Sequence, residues 1–312
     1  MSIKKIFSSI FLYIKQVFKE FSADNILKYS ASLAYYTVFS IAPLLVIVSA
    51  LLGFFFGKDA MEGQIYHQLN HLVGSLAAMQ IQDTIKNIHL NASNFLASIV
   101  SVIILLIGAT SIFGEIQDSL NKIWGLKIKS KKVWWKLILT RLLSFSLILS
   151  IGVIMIVSLL LNALINAFGK LISEYLKNYS AYFIETTEAV LSFFITGILF
   201  SLIFKILPDA KIKWKDVLLG GFVTAMFFTI GKMGIGYYLG KSNLSSLYGA
   251  AGSIIIFMVW VYYSAIILYI GAEFTKVQAK LYGENIIPNE YAEWAGVEEK
   301  QFHSLNKNKD LH

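Results

Sequence analysis

Apolar residues fall along this chain in two distinct patterns. At the start they recur at Ile3, Ile6, Phe7, Ile10, Ile14, Val17, Phe18 and Phe21, with lysines on the opposite side. That three-and-four spacing predicts an amphipathic helix, and no small-residue cleavage site follows a continuous apolar core, so it reads as a surface helix rather than a signal peptide. From Tyr29 onward the pattern becomes long runs that are apolar on every side. A helix rises about 1.5 Å per residue, so about 20 such residues cross roughly 30 Å of hydrocarbon.

Six runs reach that length: 29–57, 95–114, 142–164, 189–207, 217–240 and 250–272. The fourth is tightly framed by Glu188 and Lys205, so Lys205 must snorkel; the fifth is interrupted by Lys232. Between the first two runs, Ile65, Leu69, Leu72, Val73 and Leu76 return to amphipathic spacing and predict external helices capping a bundle. The predicted fold is therefore all-α, a six-span membrane bundle. Residues 1–28 form a surface arm, 29–283 the membrane domain and 284–312 a polar tail. The tail acids from Glu290 to Glu299 lie beyond Pro288 in a segment expected to be mobile.

The lysines set the orientation. The arm, the segments before runs three and five, and the tail carry 5, 7, 4 and 5 basic residues; the three intervening segments carry 2 each. This alternation is the positive-inside pattern, and it predicts both termini in the cytoplasm. It also reassigns the net charge of +8. In a soluble protein that charge would suggest nucleic acid; here it is expected to anchor loops beside anionic lipid.

Composition agrees. Of 312 residues, 56% are hydrophobic and 15% charged, with a mean hydropathy of +0.65, whereas soluble domains carry about 25% charged residues. The absence of cysteine excludes thiol catalysis, thiolate metal sites and disulfides.

Candidate chemistry is sparse. The acids expected near the cytoplasmic face, Glu115, Asp118, Asp209, Asp216 and Glu273, are scattered without the paired-carboxylate motif that metal-ion or acid–base hydrolysis needs. His67 and His71 have metal-ligand spacing but no third ligand at a compelling distance, so a solvated helix face is the expected role. No phosphate loop, nucleophile elbow or dinucleotide fingerprint occurs. No catalytic, cofactor or metal residue is therefore assigned.

Within the runs, Pro43 removes the bond to the Phe39 carbonyl and should kink the first, with Thr37 and Ser40 available to satisfy freed carbonyls. Gly53 and Gly57, and Gly236 and Gly240, stand in close-packing register. Lys232 lies about 24 Å along its helix from Asp216 and about 13 Å from Lys241. It either snorkels outward or faces a site in the glycine-rich stretch GKMGIGYYLG, and both readings stand. Glu273 closes the longest uncharged run, 242–272, at the cytoplasmic boundary, with Lys276 its i+3 neighbour. The chain has a single arginine, Arg141, at the same boundary. Two readings stand for Glu273: a weak i+3 pair with Lys276 where the chain leaves the hydrocarbon, or a bidentate clamp by Arg141, which failing Glu273 would take Glu115.

Three stretches, YSASLAYYTVFSIAPLLVIVSALLG from Tyr29, GATSIFGEIQDSLNKIWG from Gly108 and LYGAAGSIIIFMVWVYYSAIILYIGAEFTK from Leu247, resemble the YihY / virulence factor BrkB family of bacterial membrane proteins. The resemblance covers about residues 20 to 283 in order. It implies a six-helix inner-membrane protein. Members of that family were once labelled ribonucleases, and transport or envelope roles have been proposed for them; the resemblance supplies no catalytic residue. The expected function is transport or translocation of an envelope-related lipid or amphiphile, without enzymatic activity, cofactor or nucleic-acid partner. The alternative is a non-transporting envelope scaffold. A transporter is expected to have a cavity reaching Lys232, and a scaffold to be packed throughout.

Overall fold

A computed structural model describes residues 3–40, 111–129, 180–241, 252–281 and 286–295, with a few single helical positions between 79 and 161. In chain order the elements are α1 (Ile3–Ala23), α2 (residues 26–40), α3 (residues 111–123), β1 (Leu126–Ile128), α4 (Ser180–Ile206), β2 (Ala210–Lys211), α5 (Trp214–Lys241), α6 (Gly252–Leu281), β3 (Ile287–Pro288) and β4 (Ala292–Trp294). Among the described residues three helical segments are long and apolar enough to cross a membrane: Thr186–Ile206, Trp214–Ile235 and Ile254–Leu281. They fall on the fourth, fifth and sixth predicted runs. The first three runs lie largely outside the described residues, as do Pro43, Arg141, His67 and His71.

Exposed aromatics bracket α5. Trp214 opens it and Tyr237 and Tyr238 stand near its far end, about 35 Å apart at helical rise. That separation suits a hydrocarbon layer with aromatic belts at both interfaces. Between them Phe227, Ile230 and Met233 are exposed, an apolar face that water would not tolerate in such length.

The spans meet through small residues. A side-chain carbon on Gly271 would overlap Thr224, and one on Gly220 would overlap Thr275, so α5 and α6 approach closely only because both positions are glycine. In lipid, where burial of apolar area gains little, such van der Waals fit carries much of helix association. On α2 the Thr37 hydroxyl donates to the carbonyl of Leu33, four residues earlier, at 2.7 Å.

The main core lies at one end of the spans. Leu120, Ile123 and Trp124 from α3 and its end pack with Phe204, Leu207, Val217, Tyr269 and Ala272, joined by Ile26 from α2 and Ile286 from the chain beyond α6. Gly125 terminates α3 with φ of 67°, the left-handed conformation that glycine adopts without penalty. The chain then turns into β1.

Four short strands were not foreseen from the sequence. β1 pairs antiparallel with β4, bringing Lys127 opposite Glu293, and β2 pairs with β3, bringing Lys211 opposite Ile287. Such short ladders are marginal alone. Backbone bonds fasten them: Asn289 to Asp209 at 2.9 Å, Lys129 to Tyr291 at 3.0 Å and Ala295 to Gly125 at 2.7 Å. The folded unit thus continues beyond residue 283 to at least Ala295. This corrects the expectation of a mobile segment after Pro288, since Glu290 and Glu293 belong to a pinned ribbon.

Candidate functional site: a buried charge cluster on the last span

The motif Gly271-Ala272-Glu273 gives each residue a separate task. Gly271 admits Thr224 of α5. The Ala272 carbonyl accepts the indole N–H of Trp124 at 3.2 Å. Glu273 is fully buried, and neither of its carboxylate oxygens has a hydrogen-bond partner among the described residues. One turn later Lys276, 1% exposed, places its ammonium 3.6 Å from Glu273.

The rest of the cluster comes from α1. Lys276 Nζ lies 2.6 Å from Asp24 Oδ2 and 2.8 Å from Glu20 Oε2. Gln16 donates to the other Glu20 oxygen at 2.8 Å, and the Tyr13 hydroxyl donates to the Phe274 carbonyl at 2.7 Å with the two rings in contact. Asn25, at φ 53°, ends the arm in a left-handed turn that asparagine tolerates, and so brings Asp24 to the lysine. The amphipathic arm is thus not merely laid on a surface. Val17 is buried, while Ile14 and Phe18 remain exposed.

Oxygens of Glu20, Asp24 and Glu273 all lie within 4.8 Å of one another. That is a spacing that could hold a cation, and the Lys276 ammonium takes the cation's place. Three carboxyl groups thus share one ammonium. Glu20 itself feels burial, which raises its pKa, but the hydrogen bond and charge of Lys276 and the charge of Lys280 outweigh it and hold the carboxyl below its ordinary value.

A second polar centre lies across the core. Asp209, buried between α4 and β2, accepts from Asn121 Nδ2 at 2.7 Å and from Gln117 Nε2 at 3.4 Å, while its N–H donates to Asn121 Oδ1 at 2.9 Å. This exchange ties α3 to the α4–β2 turn.

Of the residues singled out from sequence, the described ones, Glu115, Lys232 and Glu273, do not converge. Glu273 is central, but its cation in the structure is Lys276; Arg141 lies outside the described residues. Glu115 is half-buried on α3 and is not one of the cluster's acids. Lys232 is half-buried on α5 beside Gly231, whose neighbour is Tyr263, about 20 Å along α6 from Lys276. The sequence reading missed Glu20 and Asp24. A signal for them existed: they are the arm's two acids, at i and i+4 in a lysine-rich helix, and so share one face.

A mostly helical chain with apolar helices of spanning length and a charge cluster set into one of them defines a helical membrane protein. The family model described as Virulence factor BrkB matches residues 17–290, and the chain belongs to that family. A UPF0761 membrane protein of Psychromonas ingrahamii is 27% identical over 298 residues, covering 92% of this chain and 94% of its own length. One of Tolumonas auensis is 28% identical over 258 residues, with 81% and 80% covered. One of Saccharophagus degradans is 27% identical over 290 residues; 89% of this chain aligns, but spans only 62% of that relative. No solved structure matches.

Proposed function

We propose that this protein is a multi-pass bacterial inner-membrane translocator of an envelope lipid or amphiphile, with six spans, both termini cytoplasmic and no enzymatic activity. The observation that carries this reading is the buried cluster where the arm meets the last span. Replacing a buried ion pair by apolar residues is often neutral or stabilising, so a rigid packed bundle gains little from four ionisable groups there. Charges set into spans mark ion or substrate pathways by default. A lysine shared among three carboxylates from two helices suits an element with two arrangements, released and re-formed as the arm moves against the span. A hydrolase reading is disfavoured because the converging acids surround an ammonium, leaving no evident room for a catalytic metal.

The test is purified protein in vesicles carrying a fluorescent phospholipid, with a membrane-impermeant quencher reporting exchange between leaflets. Exchange that exceeds protein-free vesicles and falls with Lys276→Met is expected. Wild-type vesicles no faster than empty ones would remove this class of cargo. For the topology, reporters at residues 1 and 312 are expected inside and a cysteine near Gly74 outside; an externally accessible tail would sink the six-span arrangement.

The scaffold reading has one specific observation in its favour. The α5–α6 seam is closed by the Gly220–Thr275 and Gly271–Thr224 contacts, which suits a bundle packed throughout. Lipid exchange indistinguishable from background, together with a stable co-purifying partner, would favour it.

A further inference from the structure

The two ribbons enclose a cleft of about 470 Å³ that the charge cluster does not use. Its lysines come from separate segments: Lys127 from β1, Lys129 just after it, and Lys211 from β2. We propose that this cleft binds a phosphate group, either that of a lipid headgroup or of a free phosphate ester.

The three ammoniums differ in how far they are already satisfied. Lys127 lies 3.4 Å from Glu293 directly across the ladder, but both side chains are about half exposed, so the pair holds it weakly. Lys129 donates to the Glu290 carbonyl at 3.1 Å, a neutral acceptor that leaves its charge uncompensated. Lys211 is exposed and has no carboxylate partner among the described residues. Glu290 and Glu293 also line the cleft, so three positive and two negative groups leave one positive charge in excess.

The scaffold around these lysines is fixed. Asn289 and Tyr291 are held by backbone bonds to Asp209 and Lys129, so the cleft's shape does not depend on its own side chains. Trp294 forms one wall and Trp214, exposed at the start of α5, carries the Lys205 ammonium 5.6 Å above its ring. Tryptophan and lysine together are the side chains of the headgroup layer. The cleft therefore presents point charges to phosphate oxygens beside the amphipathic ring of Trp294. The inference rests on the lipid-handling reading only for the choice of a lipid phosphate, and binding is measured apart from transport.

The experiment uses the full chain in phosphatidylcholine nanodiscs. One arm adds phosphatidylglycerol and counts retained lipid by native mass spectrometry; the other titrates inorganic phosphate and glycerol phosphate. Lys211→Gln and Lys129→Gln are each expected to lower phosphatidylglycerol retention about fivefold, the weight of one basic residue at an anionic surface. Lys215→Gln, exposed outside the cleft, is expected to leave retention unchanged. Saturable binding of the soluble phosphates, lost in the same two variants, would assign the site to free phosphate esters and still support it. Equal losses in all three variants would show diffuse charge and overturn the site, as would wild-type protein that retains neither lipid nor phosphate. Binding without leaflet exchange would leave the site standing and remove translocation.

Discussion

Lys276 of the last span holds Asp24 of the amphipathic arm at 2.6 Å, across 252 residues of chain. Because Lys276 is 1% exposed, removing it strands charge rather than merely deleting a contact. Lys276→Met should lower unfolding stability in detergent by about 3–5 kcal/mol, the usual cost of breaking one side of a buried pair. Asp24→Asn, which leaves Glu20 on the ammonium, should cost less. Thermal denaturation of both variants checks the order, and an Asp24 variant that loses more than the Lys276 variant would contradict it.

The pH dependence follows from Glu20. Burial raises its pKa, but Lys276 and Lys280 outweigh that and place the folded value below that of a free glutamate. A carboxyl with a depressed folded pKa contributes stability that is present above its unfolded pKa and lost as pH falls through the folded one. The groups facing it are Lys276, Lys280, Gln16, Asp24 and Glu273. Wild-type protein should therefore exceed Glu20→Gln in melting temperature at neutral pH, and the gap should close as pH falls below the ordinary glutamate range. A gap that is constant down to pH 3 would show that the carboxylate charge is not what docks the arm.

The fourth, fifth and sixth runs were legible as helices of spanning length because they depend on local hydropathy alone. Lys276 as the i+3 neighbour of Glu273 was legible from spacing. Burial of that pair was not, since it requires α1 to fold back from the opposite end of the chain. An exposed helical pair of this kind is worth about 0.2–0.5 kcal/mol; burial changes its weight, and sequence spacing carries no burial. The ribbons were missed for a different reason. Strands of two or three residues are too short to show an alternating pattern, and the pairing of Ala210–Lys211 with Ile287–Pro288, extended by the Asn289–Asp209 bond, joins segments far apart in sequence.

Asn121 is the residue on which the second polar centre rests. It both donates to and accepts from Asp209, so Asn121→Leu removes two bonds from a buried acidic residue, including the shorter of the two described to its carboxylate. Hydrogen bonds to charged groups contribute about 1.5–3 kcal/mol each. Loss of that order in detergent stability is expected, with partial recovery in the Asn121→Leu/Asp209→Leu double variant. Recovery that fails altogether would show that the site's worth lies elsewhere than in this pair.

Gly271 tests the helix seam. An added side-chain carbon would meet the Thr224 hydroxyl and Cβ, and that hydroxyl is committed to the Gly220 carbonyl at 2.6 Å. Gly271→Ala should cost about 1–3 kcal/mol as overpacking. Thr224→Ala in the same chain should return much of it by vacating the space. A double variant no better than Gly271→Ala would show that the clash is taken up by backbone movement instead.

Glu273 discriminates between two cations. The structure gives it Lys276 at 3.6 Å, whereas the boundary position of Arg141, outside the described residues, made arginine the other candidate clamp. Glu273 is the cluster's fully buried carboxyl without a hydrogen bond among the described residues, so Glu273→Gln, which keeps its shape, should be near neutral or stabilising in the wild-type background. In Lys276→Met the carboxyls lose their shared cation, and Glu273→Gln should then recover a measurable part of the loss. A double-mutant cycle on thermal stability in detergent reads this directly: the coupling of Glu273 with Lys276 should exceed about 1 kcal/mol, well above the 0.3–0.5 kcal/mol within which independent sites add. The cycle with Arg141→Gln should fall inside that additive range. Coupling to Arg141 and not to Lys276 would reverse the assignment and restore the arginine clamp.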